Sequence, residues 1–184
     1  MKNDRRVRKT KKAIQEGLAQ LMLEKDLRHI TVQAVSDQAD IHRATFYSHY
    51  ADVYDLYTQM EDGAISEITQ AIEADPTQSC EDMYRVIINY VYDNANMCRL
   101  FLDARRSMGF INRLSTLLEE RFALLLFADR PQGTPSLETC KYYASYHFQG
   151  ILAMLNRWAK DNFAHPKEDI IRMVTAVDEH FDKI

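Results

Sequence analysis

The stretch from Ile30 to Leu56 constrains this chain more than any other, because its apolar spacing, its capping residues and one sharp turn leave a single local arrangement open. Thr31 is placed to cap a short helix, and Val32, Val35 and Ala39 follow at i, i+3 and i+7, the spacing of one inward helical face. Asp40 stands at the turn, where Asp accepts left-handed backbone better than most residues, and Ile41 follows as an apolar plug. The next helix turns Ile41, Phe46 and Tyr50 inward. His42, Arg43, Thr45, Tyr47 and His49 are left pointing outward or along the edge. Two short helices joined by a tight turn, with a further helix starting before Leu56, make a helix-turn-helix. The second helix of such a unit lies in the major groove of duplex DNA, which makes DNA the expected partner.

The same residues resemble the TetR-type one-component regulators over about the first third of the chain. The likeness is carried by Thr31, Ala34, Ala39, Ile41, Thr45, Phe46, Tyr47, Tyr50 and Leu56, with the Thr-Phe-Tyr-Ser-His-Tyr core as its most specific part. The resemblance implies that Gln33, Arg43 and Tyr47 reach base edges while Thr31, Thr45 and His49 hold the phosphate backbone. Two positions depart from the family pattern. Asp40 stands where a turn Gly is usual, and Val53 stands where many members carry a Lys that holds a phosphate from the start of the fourth helix. The second departure shifts phosphate binding onto the basic arm, Tyr47, His49 and the fourth helix's N-terminal amides.

Net charge is −4, which alone argues against nucleic acid, but its distribution argues the other way. Residues 1–60 carry +2 and residues 61–184 carry −6, and the first twelve residues alone carry +6. Lys2, Arg5, Arg6, Arg8, Lys9, Lys11 and Lys12 form a cationic arm that can track phosphates or enter a minor groove. Beside a helix-turn-helix, DNA contact outweighs the reading of a solvated tail. No apolar segment follows the basic arm, and the longest strongly apolar run, Ala123 to Ala128, is too short to span a bilayer. Cys80, Cys98 and Cys140 are odd in number and far apart, as expected of reduced thiols acting as small hydrophobes in a cytoplasm.

With 46% hydrophobic residues, only five Gly and four Pro, and apolar residues at helical spacing, the chain is expected to be all-α, with about nine helices. The first helix is expected from about Thr10 to Leu23, and the fourth from a cap at Asp52, with Asp55 completing a capping-box-like pair, to Ala74 before Asp75-Pro76. A helix follows from Ser79 to about Asn96, a short piece over Arg99 to Arg106, and another over Phe110 to Phe127. After a loop at Asp129 to Thr134, a long helix opens at Pro135 and ends near Asn162, and Pro166 opens the last, to about Phe181. The expected division is a DNA-binding domain over residues 1–62 and an effector-binding and dimerisation domain over 63–184.

In the second domain the resemblance implies an effector cavity, with Tyr84, Ile88, Tyr92, Phe101, Met108, Phe110, Leu114, Leu118 and Phe122 as its lining and Arg105 or Arg106 to meet an anion. Aromatic and Met residues at helical spacing are more often plain core. Tyr143, Phe148, Ile151, Leu152, Leu155 and Trp158, with Ile170, Ile171, Val174, Val177 and Phe181, give two apolar faces. They pack either within one chain or, as in the family, against a two-fold mate. Phe148, Ile151, Leu155, Trp158, Ile170, Val174 and Val177 are therefore the expected homodimer contacts.

No His-Glu-x-x-His, Cys-x-x-Cys or Gly-rich phosphate loop occurs, so no enzyme, metal or cofactor is expected. The expected function is a cytoplasmic, ligand-gated repressor that binds a palindromic operator as a dimer. The alternatives are a regulator or activator switched by a partner protein, and a helical ligand-binding protein that has lost DNA affinity.

Overall fold

The computed structural model describes residues 2–74, 79–102, 108–128 and 135–181, with the side chains of 2–4, 108 and 178–181 outside that description. The readings made above for Asp75-Pro76, the Asp129 to Thr134 loop, Arg105 and Arg106 fall outside the described residues, as does the Met108 side chain. The described residues form nine α-helices: α1 Lys2–Glu24, α2 Val32–Gln38, α3 Arg43–Tyr47, α4 Val53–Glu73, α5 Cys80–Asp93, α6 Ala95–Phe101, α7 Met108–Ala128, α8 Leu137–Lys160 and α9 Lys167–Phe181, with one 3-10 turn at Leu27–His29. They divide into a unit of residues 1–64 and a unit of residues 65–184, and α4 runs as one helix from the first into the second.

Four of the nine α-helices, α2, α4, α5 and α8, start where a short polar side chain satisfies an orphan amide. Thr31 Oγ1 accepts from the Ala34 amide at 3.2 Å, Ser79 Oγ from Asp82 at 3.1 Å and Ser136 Oγ from Thr139 at 3.2 Å. Pro166 precedes α9, where its missing N–H costs nothing. Two boundaries differ from the sequence reading. α1 begins at Lys2, not near Thr10, because the arm contains no Gly or Pro and its Lys and Arg residues are good helix formers. The helix expected to run to Asn96 breaks at Asn94, whose side chain donates back to the Tyr90 carbonyl at 3.0 Å, and α6 starts one residue later.

In the N-terminal unit, Ile14, Leu18 and Met22 of α1 meet Val35, Phe46, Tyr50 and Leu56 in a core where none of these is more than 3% exposed. In the C-terminal unit α7 packs along α8, α5 packs against α9, and α6 rests on α8. Tyr84, Ile88, Phe101, Phe122, Phe148 and Trp158 fill the interior. Each such buried side chain contributes about 1.5–3 kcal/mol.

The turn from α8 to α9 holds two consecutive left-handed residues, Asn162 at φ 58 and Phe163 at φ 56. Asn tolerates this conformation, but Phe does not without compensation. Phe163 sits edge-on to Trp158 with ring centroids 5.0 Å apart, and the Arg99 guanidinium lies 5.5 Å from its ring while donating to Asn162. Trp158 Nε1 also donates to the His165 carbonyl at 2.9 Å, so the turn is tied to both α6 and α8.

Candidate nucleic-acid interface and effector domain

The helix-turn-helix forms as its residues require. The Ile41 amide donates to the Ser36 carbonyl at 3.0 Å, which folds the chain sharply after α2, and Asp40 sits at φ 52 in the left-handed region. The Asp that replaces the usual Gly therefore occupies the very conformation that makes Gly common there. Phe46 and Tyr50 lie against the core with ring centroids 5.7 Å apart, and Lys11 of α1 covers the Tyr50 ring at 5.9 Å. Burial pushes the Tyr50 phenol up from its ordinary value.

With Phe46 and Tyr50 inside, the other side of this unit is open. Thr31, Gln33, His42, Arg43 and Tyr47 are exposed, Tyr47 by 50%, while Thr45 and His49 are half-buried at the edge. Lys9 is exposed on α1. Several of these groups are already paired along their helices. Arg43 Nη2 donates to Tyr47 Oη at 3.3 Å with its guanidinium 5.8 Å from the ring, and Gln33 Nε2 donates to Asp37 Oδ1 at 2.6 Å.

The start of α4 is only partly open to the phosphate role expected of it. Of its terminal amides, that of Asp55 is already taken. Asp52 Oδ1 accepts from the Asp55 amide at 2.8 Å, and Asp55 Oδ2 accepts from the Ala51 amide at 2.9 Å. The Ala51 amide and the Gln59 side chain together hold the Asp55 carboxyl below its ordinary range. Two carboxylates at this point repel a phosphate. Val53 is 4% exposed, so the position where many relatives carry Lys is spent here on packing.

The effector candidates gather in the C-terminal unit with one exception. Tyr84, Ile88, Phe101, Phe110, Leu114, Leu118 and Phe122 are all 4% exposed or less. They make ring contacts among themselves: Phe101 and Phe110 lie 4.6 Å apart, Tyr84 and Phe122 6.2 Å. Tyr92 is the exception. It is 45% exposed, stacks on Trp158 at 5.9 Å and carries Lys167 over its ring, so it belongs to the outside of α5. His147 was not singled out from sequence. It is 6% exposed, stacks on Phe122 at 4.7 Å and shares a 2.7 Å hydrogen bond with Tyr84 Oη, joining α5, α7 and α8 through one polar pair. Nothing local marks it, because its partner is 63 residues away. A small hollow elsewhere in this unit is lined by Ile72, Asp82, Met83, Val86, Arg121 and Leu125 with Ser79, none of them among the effector candidates.

The expected dimer contacts also need correction. Phe148, Ile151, Leu155, Trp158, Ile170 and Val174 are 0–4% exposed within the single chain and so are core. Of the seven residues only Val177, at 51%, faces out. The outward face of α8 includes Tyr142, Tyr146, Gln149, Gly150 and Ala153, with the two tyrosines 74% and 70% exposed; that of α9 includes Met173 at 45%, Ala176 and Val177.

Among the described residues no cluster of His, Cys, Asp and Glu could hold a metal ion, and no helix is long and apolar enough to cross a membrane. Cys98 and Cys140 are buried and unpaired, and burial pushes the Cys98 thiol up to about 12, which makes it a poor nucleophile.

The family model TetR_C_8, transcriptional regulator C-terminal region, matches residues 78–177. An uncharacterized HTH-type transcriptional regulator of Bacillus subtilis, YxbF, is 27% identical over 176 residues; the match takes in 92% of this chain and 44% of YxbF, so the chain spans less than half that relative's length. Among solved structures, a TetR/AcrR-type transcriptional regulator of Aquifex aeolicus superposes with a TM-score of 0.70 at 14% identity, covering 94% of this chain and 99% of its own. NalD, the secondary repressor of the MexAB-OprM multidrug efflux pump in Pseudomonas aeruginosa, gives 0.64 at 17% identity, covering 91% and 92%. The dihydroxyacetone kinase operon activator DhaS gives 0.67 at 16%, covering 91% and 93%. With an exposed helix-turn-helix face ahead of a helical second unit that matches this family model, the chain belongs to the TetR family of transcriptional regulators, which are not enzymes.

Proposed function

We propose that this regulator is a repressor that binds a palindromic operator as a homodimer and releases it when a small molecule enters the C-terminal unit. The observation that carries DNA reading is the exposed face of α2 and α3, where Gln33, Arg43 and Tyr47 stand clear of the core that holds Phe46 and Tyr50. In this reading Gln33, Arg43 and Tyr47 address base edges, Thr31, Thr45, His49 and Lys9 address phosphates, and His42 borders the groove. Two such units reach successive major grooves when their recognition helices stand about 34 Å apart. The protein would act on DNA in the cytoplasm.

The second copy would pack on the outward face of α8 and α9, through Tyr142, Tyr146, Ala153, Met173 and Val177. Support comes from their exposure, from the small residues Gly150 and Ala153 among them, and from the dimeric habit of the family. The effector would open the packing around Tyr84, Ile88, Phe101, Phe110, Leu114, Leu118 and Phe122, with the Tyr84–His147 pair as a polar contact and with Arg105 and Met108 as further candidates. Gating requires the effector to bind the DNA-free conformation better than the DNA-bound one, since equal affinity shifts nothing. The first experiment is selection of bound duplexes from a random pool. A palindromic consensus is expected, and recovery of no sequence preference would reject the proposal.

A second reading, control by a partner protein, is favoured by Leu124 and Phe127, two large apolar side chains about half-exposed near the end of α7. DhaS is named as an activator and NalD as a repressor, so this fold serves both signs of control. Operator release by apolar or weakly anionic small molecules alone would separate the first reading from the second.

A further inference from the structure

Asp37 lies in the last turn of α2, a seven-residue helix with no basic side chain at that end. An acid there opposes the partial negative charge of the helix C-terminus, so it does not stabilise α2 by its charge. Nor does an anion beside a DNA-reading face help phosphate binding. What Asp37 does is accept a hydrogen bond from Gln33 Nε2 at 2.6 Å, one turn back along an exposed helix face. A primary amide has two N–H donors and one carbonyl acceptor. Asp37 takes one donor, leaving the carbonyl oxygen and the second N–H free on an amide that can no longer rotate or flip without cost.

We propose that Asp37 is a positioning residue for DNA reading, holding the Gln33 amide so that its free acceptor and donor meet the N6–H and N7 of an adenine in the major groove. This rests on the reading of Gln33 as a base contact. Glutamine pairs with adenine through this two-point contact, and a side chain fixed before binding loses less rotamer freedom on forming it. The Arg43–Tyr47 pair on α3 is built alike, four residues apart, with part of the guanidinium fork left free. Asp37 does not touch the base. It decides which edge of the Gln33 amide does.

The test uses the full-length protein and its selected operator, with binding to every single-base variant of one half-site measured for wild type, Gln33→Ala, Asp37→Ala and Asp37→Asn. Wild type is expected to prefer A·T at one position by about tenfold, and Gln33→Ala to lose that preference there. Asp37→Ala should reduce the same preference to about twofold, leave the other positions unchanged and leave the melting temperature unchanged. Asp37→Asn keeps an acceptor oxygen and should retain most of the preference. If Gln33→Ala relaxes the position and Asp37→Ala does not, the positioning role is overturned while the reading of Gln33 stands. If Gln33→Ala changes nothing, both fall. Loss as complete in Asp37→Asn as in Asp37→Ala would assign the effect to charge and overturn the hydrogen-bond account.

Discussion

The outward faces of α3 and α8 are both left to water, and the middle of the α8 face is more aromatic and small than the α3 face. On α3 the exposed groups are Arg43 and Tyr47, joined to each other, with His42 beside them. On α8 they include Tyr142, Tyr146, Gly150 and Ala153, with Gln149 among them and Lys141, Arg157 and Lys160 towards the two ends of the helix. A polar face loses water when it binds and must recover each hydrogen bond from its partner, which makes its affinity depend on the partner's donor and acceptor pattern. An aromatic and small-residue face gains simply by leaving water, with little demand on sequence. The first suits recognition that can be reversed, and the second suits a standing association between like chains.

The most direct way to break this comparison is to strike the two faces of α8 separately. Leu155→Ala, on the inner face, should cost about 2–5 kcal/mol of stability by denaturant unfolding. Ala153→Glu, two residues away on the outer face, should keep the fold and give monomer by sedimentation at micromolar concentration. A folded dimer in the second variant would remove this face from the interface. On α3, Arg43→Ala should weaken the selected operator by about 1–3 kcal/mol and relax one base position, and unchanged binding would take Arg43 out of the reading face.

Two smaller effects sharpen the picture of the N-terminal unit. Because α4 begins with two carboxylates and the Asp55 amide is capped, much of the phosphate binding has to come from elsewhere, and α1 is the strongest cation source. Removing residues 1–8 should make the slope of log affinity against log salt shallower by about 1–3, and an unchanged slope would return these cations to bulk solvent.

The smallest effect concerns pH. Asp26 caps the 3-10 turn and pairs with Arg28, which holds its carboxyl down to about 2. A folded value below the ordinary one means that its contribution is present above about pH 4 and is lost as pH falls through 2. The thermal stability advantage of wild type over Asp26→Ala should therefore shrink between pH 4 and pH 2 and stay flat from pH 5 to 7. A gap that does not change with pH would show that the carboxylate charge plays no part.

What the amino-acid sequence determines by itself is whatever is decided within a few residues. Thr31, Asp52 with Asp55, Ser79 and Pro166 announce helix starts because a cap acts on amides two to four positions away, and Asp40 announces a turn because left-handed backbone is a property of single residues. The exposed face of α2 and α3 followed from the same local period. Which apolar stripe of α8 turns inward could not be read this way, since Phe148, Ile151, Leu155 and Trp158 on one side and Tyr142, Tyr146, Gly150 and Ala153 on the other are both compatible with burial. The choice is made by α6 and α7 packing on α8 and by Tyr92 of α5 stacking on Trp158, contacts between separate helices that a local period does not reach. The same holds for the burial of Val53 and for the pairing of Tyr84 with His147. Local chemistry thus determined the helices and the helix-turn-helix motif, whereas the assignment of core, outer face and buried polar pair was settled only when separate helices packed together.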